Sequence, residues 1–233
     1  MSGVVAGIVL AGGSSSRMGP TDKLWAELHG RPLIAWSIDT FARSPCIDRL
    51  IVVARADTID PMRHLLGELA ITAEVVAGGV RRQDSVRAGL DAASDAEWVV
   101  VHDGARPCVT GELIERGLAA AAHTGAAIAA VPMVDTIKEV RGEEIVGTPG
   151  RTSLWAAQTP QIFRRELLLR AHEGSTADAT DDAVLVEALG VPVRVFMGAY
   201  ENVKVTNPLD LLIAEALLKA NSRADEPSIA RRQ

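Results

Sequence analysis

Along this chain, short runs of apolar and β-branched residues alternate with stretches in which apolar side chains return every three or four positions. The runs GVVAGIVL (3–10), RLIVVA (49–54), TAEVVAG (72–78), EWVVVHD (97–103), GAAIAAVPM (125–133) and VPVRVFMG (191–198) predict strands. Between them the helical spacing predicts helices near 32–43, 58–69, 82–94, 110–124, 164–172, 180–189 and 207–219. Strand and helix in alternation imply a mainly parallel sheet with helices on both faces. Ligands of such sheets bind beyond the carboxyl ends of the strands. The loops after Leu10, Ala77, Val101 and Met133 are therefore expected on one rim.

One segment breaks the alternation. From Val131 to Gln161 the pattern predicts an extended piece, a polar turn at RGEE, a second extended piece and then loop. It carries little apolar content to bury against its own domain, so a projecting β-arm over 131–155 is expected, with a second copy of the chain as its simplest partner. The residues from 221 to 233 are polar and aperiodic and are expected to fray, leaving one domain over 1–220.

Bulk properties narrow the ligand class. The 233 residues are 48% hydrophobic and 23% charged, enough for one substantial core. A formal net charge of −6 gives no long-range attraction for nucleic acid or an anionic membrane, so neither is an expected partner and any anionic ligand must be held by local positive charge. No run approaches the roughly 18 uninterrupted apolar residues of a membrane span, and a soluble cytoplasmic protein is expected. Cys46 and Cys108 form no CxxC pair and the histidines show no zinc-like spacing, so buried thiols and no zinc site are expected.

Five motifs carry candidate chemistry. In AGGSSSRMGPTDK, after the first strand, residues with little side chain let the backbone approach an anion, while Arg17 and Lys23 flank a turn that can fold two cations around one polyphosphate. Neither GxxxxGK[ST] nor GxGxxG is present, and solvent-facing charge is the plain alternative. GGVRRQDSVRAGL reads as a strand–turn–helix junction whose helix begins near Asp84 and Ser85; its glycine backbone and the Ser85 hydroxyl can face a nucleobase or ribose. In WVVVHDGARP, Asp103 ends an apolar strand, where a carboxylate needs a cation. That cation is either Mg2+, which one aspartate plus substrate phosphates can hold, or Arg106. Thr136, Arg151, Thr180 and Lys204, in the last two motif groups, are suited to phosphate and hydroxyls, or are surface residues and caps, with Thr180 and Asn207 as helix N-caps.

Taken in order, AGGSSSRMGPTDK, GGVRRQDSV, VHDGARPCV, VDTIK, QTPQIF, TDDA and ENVKVTNPLDL resemble the 2-C-methyl-D-erythritol 4-phosphate cytidylyltransferases of the non-mevalonate isoprenoid pathway, over about residues 4 to 219. The resemblance implies a single Rossmann-like nucleotidyltransferase domain with a dimerising arm. It also implies transfer of CMP from CTP to the polyol phosphate with release of pyrophosphate. By the same likeness Arg17 and Lys23 grip the triphosphate, with Ala11, Gly12, Gly13, Ser14 and Ser15 along it, and Asp103 holds Mg2+. Gly79, Ser85 and Ala105 then face cytosine and ribose, while Arg106, Thr180 and Lys204 surround the second substrate. Thr136 and Arg151 would reach the site of the other subunit, Arg151 and Lys204 serving the reaction itself. The chain departs from that pattern at Ser15, where the family usually has glycine, and at Val80, where an acidic residue often stands. Ribitol 5-phosphate cytidylyltransferases share several of these motifs and are the nearest rival; a nicotinamide-dependent oxidoreductase and a non-catalytic nucleotide-binding module are rivals of other classes.

Overall fold

The apolar runs come together as one sheet in the computed structural model, which describes residues 3–12, 23–173 and 178–224. In chain order the strands are β1 (Val5–Ala11), β2 (Glu27–Leu28), β3 (Arg31–Pro32), β4 (Arg49–Ala54), β5 (Glu74–Ala77), β6 (Trp98–Asp103), β7 (Ala126–Pro132), β8 (Glu139–Arg141), β9 (Glu144–Gly147), β10 (Trp155–Arg164) and β11 (Arg194–Met197). The helices are α1 (Leu33–Arg43), α2 (Ile59–Glu68), α3 (Arg82–Ala92), α4 (Gly111–Ala121), α5 (Arg165–Glu173), α6 (Asp182–Glu187) and α7 (Pro208–Ala224).

Seven strands make the sheet, in the order β11-β7-β10-β6-β1-β4-β5. All neighbours pair in parallel except at β10, which runs antiparallel to both β6 and β7. Every residue of β1 is buried. Val5, Val9 and Ala11 face a core built with α1, α2, α4 and α7, while Ala6, Ile8 and Leu10 face another built with α3, α5 and α6. The period-two alternation of a strand buried on both faces thus appears as an unbroken apolar run, as in sheets sandwiched between helices.

The largest departure from expectation is β10. AAQTPQ (156–161) reads as loop because Gln158, Thr159 and Gln161 interrupt its apolar pattern and Pro160 cannot donate to a ladder. The structure places it in the sheet interior, with those three polar side chains buried and the proline at a break in register between Ala157 and Gln161. Because β10 runs against its neighbours, its first half ends up at the carboxyl rim. The arm itself is narrower than 131–155. Residues 131 and 132 belong to β7 and Trp155 to β10, and the projecting part is the β8–β9 hairpin, whose residues are exposed apart from a half-buried Gly147.

Smaller corrections concern helix ends. α3 begins at Arg82, where the periodicity places it and ahead of the Asp84–Ser85 start that the capping residues suggest; Asp84 accepts the Arg81 backbone N–H at 3.1 Å. Asp181, not Thr180, caps α6, its side chain accepting from Val184 N. Asn207 caps α7 as expected, accepting from Asp210 N at 3.0 Å. That helix runs on to Ala224, so the tail expected from 221 begins with helical backbone, and 225–233 lie outside the described residues.

Candidate active site

The parallel strands deliver Ala11, Ala77 and Asp103 to one rim, and two adjoining cavities open there. Gly12, Lys23, Gly79, Ser85 and Ala105 line the first. The second is lined by Arg106, Gln158, Thr159, Thr180 and Asp181. Arg82, Asp103 and Lys204 belong to both and form the wall between them.

Local sequence explains how each wall is shaped. After Asp103 the chain must pass under β1: Gly104 N–H donates to Leu10 O at 3.0 Å, and a Cβ at Gly104 would stand 2.8 Å from that oxygen, closer than real side chains come. At the β5–α3 turn, a Cβ on Gly78 would meet the Ser85 hydroxyl at 2.7 Å. That hydroxyl accepts the Gly79 N–H at 3.2 Å, so in the free protein Ser85 braces the glycine turn. Val205 N–H donates to Ala105 O at 2.8 Å, which sets Lys204 beside Asp103.

Asp103 does not pair with Arg106, as the sequence allowed. Its Oδ1 accepts from Arg82 Nε at 3.1 Å and its Oδ2 from Lys204 Nζ at 2.6 Å. Burial alone would push this carboxyl up, but the charges of Arg82 and Lys204 outweigh it and hold the group well below the usual carboxylate range. Arg106 spends its guanidinium on backbone instead, Nη1 donating to Asn202 O at 2.7 Å and Nη2 to Ala157 O at 3.4 Å. Arg82 was not among the expected site residues. A signal for it existed: a strand-end carboxylate on this rim needs a cation, and the adjoining β5–α3 junction carries Arg81 and Arg82. Distance in sequence hid the pair.

Beneath the rim lies a buried polar relay. Asp103 N–H donates to Thr159 Oγ1 at 3.0 Å, Thr159 Oγ1 lies 3.0 Å from His102 Nδ1, and His102 Nε2 lies 3.2 Å from Arg106 O. A carbonyl only accepts, so Nε2 carries the proton and Nδ1 accepts from the threonine. Burial pushes His102 down to about 3, so the ring is neutral and serves as a fixed strut. Asn202 Nδ2 donates to Thr159 O at 2.7 Å, tying this relay to the segment that carries Lys204.

Among the described residues, no three histidines, cysteines or acids cluster as a metal site. Asp103 nevertheless fits a hard divalent cation. It is held ionised, each oxygen keeps a lone pair beyond its one cation contact, and such ions complete their shell with ligand phosphates and water.

Of the residues expected at the site, the structure brings together Gly12, Lys23, Gly79, Ser85, Asp103, Ala105, Arg106, Thr180 and Lys204. Ala11 ends β1 with its side chain in the core. Gly13, Ser14, Ser15 and Arg17 lie outside the described residues. Thr136 and Arg151 are exposed on the segments before and after the β8–β9 hairpin and line neither cavity of their own chain, Arg151 Nη1 donating to Val134 O at 2.6 Å. Val80, at the departure noted above, lines the first cavity fully exposed.

Residues 5–220 match the sequence profile of the 2-C-methyl-D-erythritol 4-phosphate cytidylyltransferase family. A protein of that name from Dehalococcoides mccartyi is 44% identical over 218 residues, spanning 92% of this chain and 96% of the relative. One from Bacillus licheniformis is 44% identical over 222 residues, spanning 93% and 96%. The crystal structure of 4-diphosphocytidyl-2C-methyl-D-erythritol synthase from Anaerococcus prevotii superposes with a TM-score of 0.83 at 31% identity, covering 93% of this chain and 96% of the other.

Proposed function

The chain belongs to the 2-C-methyl-D-erythritol 4-phosphate cytidylyltransferase family, a family of nucleotidyltransferases that consume CTP, and from that premise we propose how its residues share the work. The reaction is CTP-dependent cytidylyl transfer to 2-C-methyl-D-erythritol 4-phosphate in isoprenoid precursor synthesis. A phosphate oxygen of the polyol attacks the α-phosphorus of CTP, the bond from that phosphorus to the bridging oxygen breaks, and pyrophosphate leaves. The nucleophile is already ionised near neutral pH, so no general base is required. The task is positioning and charge stabilisation.

The shared wall carries this reading. CTP takes the first cavity, with its base and ribose along Gly79, Ser85 and Ala105 and its phosphates along Gly12 and Lys23. The polyol phosphate takes the second, near Arg106 and Thr180. The two reacting phosphates then meet at Asp103 and Lys204, the only described residues besides Arg82 that both cavities share. Arg17 joins Lys23 on the triphosphate, with Ala11, Gly13, Ser14 and Ser15 contributing backbone. Asp103 is the residue that would hold Mg2+, which when bound supplies charge neutralisation between phosphate oxygens. Lys204 fixes the attacking phosphate.

Thr136 and Arg151 complete the site of a second copy. The support is the arm: Val140 and Ile145 are exposed on a hairpin whose strands pair only with each other, and Val134 and Trp155 are exposed on the segments that flank it, an apolar surface of the kind that marks an interface. The unpaired state of Cys46 and Cys108 agrees with work in the reducing cytoplasm. No helix among the described residues is long and apolar enough to cross a membrane. Incubating the protein with CTP, Mg2+ and a panel of polyol phosphates tests the assignment. CDP-methylerythritol is expected as the main product, and a strong preference for ribitol 5-phosphate overturns it.

A further inference from the structure

Asp103 has two cations, and they are held very differently. Lys204 reaches Oδ2 from a half-exposed side chain and ends in a single ammonium on a flexible stem, at the edge of both cavities. Arg82 is anchored at two points of its planar fork. Nε donates to Asp103 Oδ1 at 3.1 Å, and Nη1 donates to Asp182 Oδ2 at 2.8 Å. Asp182 is 1% exposed and lines neither cavity. It is fixed in turn by β10: its backbone N–H donates to Gln161 Oε1 at 3.2 Å, while Gln161 Nε2 donates to Asp181 Oδ2 at 2.9 Å.

We infer that Arg82 is a positioning residue, clamped by Asp182, that serves as the permanent counter-ion of Asp103 so that Lys204 can leave that carboxylate for the phosphate of the second substrate. The inference rests on the functional reading above for the identity of that phosphate. Its physical basis is the cost of an uncompensated buried carboxylate. If Lys204 were the sole protein cation on Asp103, the carboxylate of the free protein would depend on it alone, and the polyol phosphate would have to compete with Asp103 for the lysine. With Arg82 in place, one oxygen of Asp103 stays paired throughout and the lysine contact becomes exchangeable. The roles cannot be reversed: a guanidinium bridging two carboxylates cannot follow a ligand without breaking both contacts.

Asp182→Asn and Arg82→Lys test this, with kcat and both KM values measured alongside circular dichroism to confirm folding. Asn keeps the shape of Asp182 and removes its charge; Lys keeps the charge of Arg82 but cannot span two carboxylates. Each is expected to raise KM for the polyol phosphate about tenfold and to lower kcat about tenfold, with KM for CTP within about threefold. Equal rises in both KM values, or normal kinetics in folded protein, overturn the inference. A ligand-free crystal structure of Asp182→Asn gives a reading independent of activity. Arg82 is expected to swing away from Asp103, and its unchanged presence there overturns the clamp. Should the wild-type protein itself transfer no CMP to methylerythritol phosphate, the functional reading fails, while that crystal structure still decides whether Asp182 holds Arg82.

Discussion

The rim around Asp103 and the β8–β9 arm both carry residues assigned to the reaction, yet they are built on opposite principles. At the rim, His102, Thr159, Gln158, Asn202 and Arg106 are buried and hydrogen-bonded within one chain. Asp103 lies among them with both oxygens engaged. In the arm, β8 and β9 pair only with each other, and Val140, Ile145 and Val146 stand exposed. A two-stranded hairpin of this kind is marginal alone in water. The difference teaches where each half of the site comes from. On the proposed reading, groups that must be rigid before substrate arrives are locked in cis, and those on the arm act in the site of a second copy.

The sharpest way to break that division is to remove a cation from the reacting centre. Lys23→Ala and Arg17→Ala are each expected to lower turnover by about two orders of magnitude or more, as removal of preorganised charge typically does. Steady-state assay with CTP and methylerythritol phosphate is the check. Near-normal turnover in both variants would remove the cation pair from the mechanism and leave the shared wall to act alone.

How much of this rim was legible in sequence follows from what kind of information each residue needs. Asp103 declared itself, because a carboxylate at the end of an apolar strand has few innocent explanations. The parallel alternation by itself likewise puts Gly79, Ser85 and Asp103 on one edge. β10 did not declare itself. Its buried glutamines and threonine are polar because they brace neighbouring loops: Gln158 bonds Ala199 in both directions, and Gln161 grips the start of α6. Periodicity detects side chains that bury for apolar reasons and passes over those that bury to hydrogen-bond. Arg82 and Asp182 were missed for a related reason. They stand 100 residues apart, and only the fold joins them.

The rim can also be probed through pH. His102 is neutral and buried, with its value pushed down from 6.5 to about 3. An unfolded chain binds a proton there below about pH 6.5, whereas the folded chain does not until near pH 3. Its contribution to stability is therefore complete above pH 6.5 and is lost as pH falls toward 3. At pH 5 the loss should be about 2 kcal/mol, roughly a thirtyfold shift in the folding equilibrium. Comparing urea unfolding of the wild type and His102→Gln at pH 7 and pH 5 isolates this one proton from the other acid-labile groups. The variant, less stable at pH 7, should show the smaller decline between the two; parallel declines would mean that His102 can be protonated in the folded rim.

The arm yields smaller effects that are more diagnostic. Replacing Val140 and Ile145 together by Asp should turn a dimer into a monomer in sedimentation and lower turnover about tenfold. Folding of the monomer should change little, because both side chains are already exposed in the single chain. A dimer that persists, or a monomer with full turnover, would show that the arm is not the completing element.

Mixed dimers sharpen the point further. Lys23→Ala removes the resident half of a site and Arg151→Ala the half delivered by the arm. If sites are shared, a mixed dimer contains one site lacking both groups and one retaining both. Random reassociation of equal amounts makes about half of the dimers mixed, so activity should recover to about one quarter of wild type, from two parents that are each nearly inactive. Heterodimers confirmed by differential tagging but without recovery would place Arg151 in the site of its own chain. The segment after the hairpin, which leaves Arg151 against Val134 O and outside both cavities, would then have to fold back on its own rim.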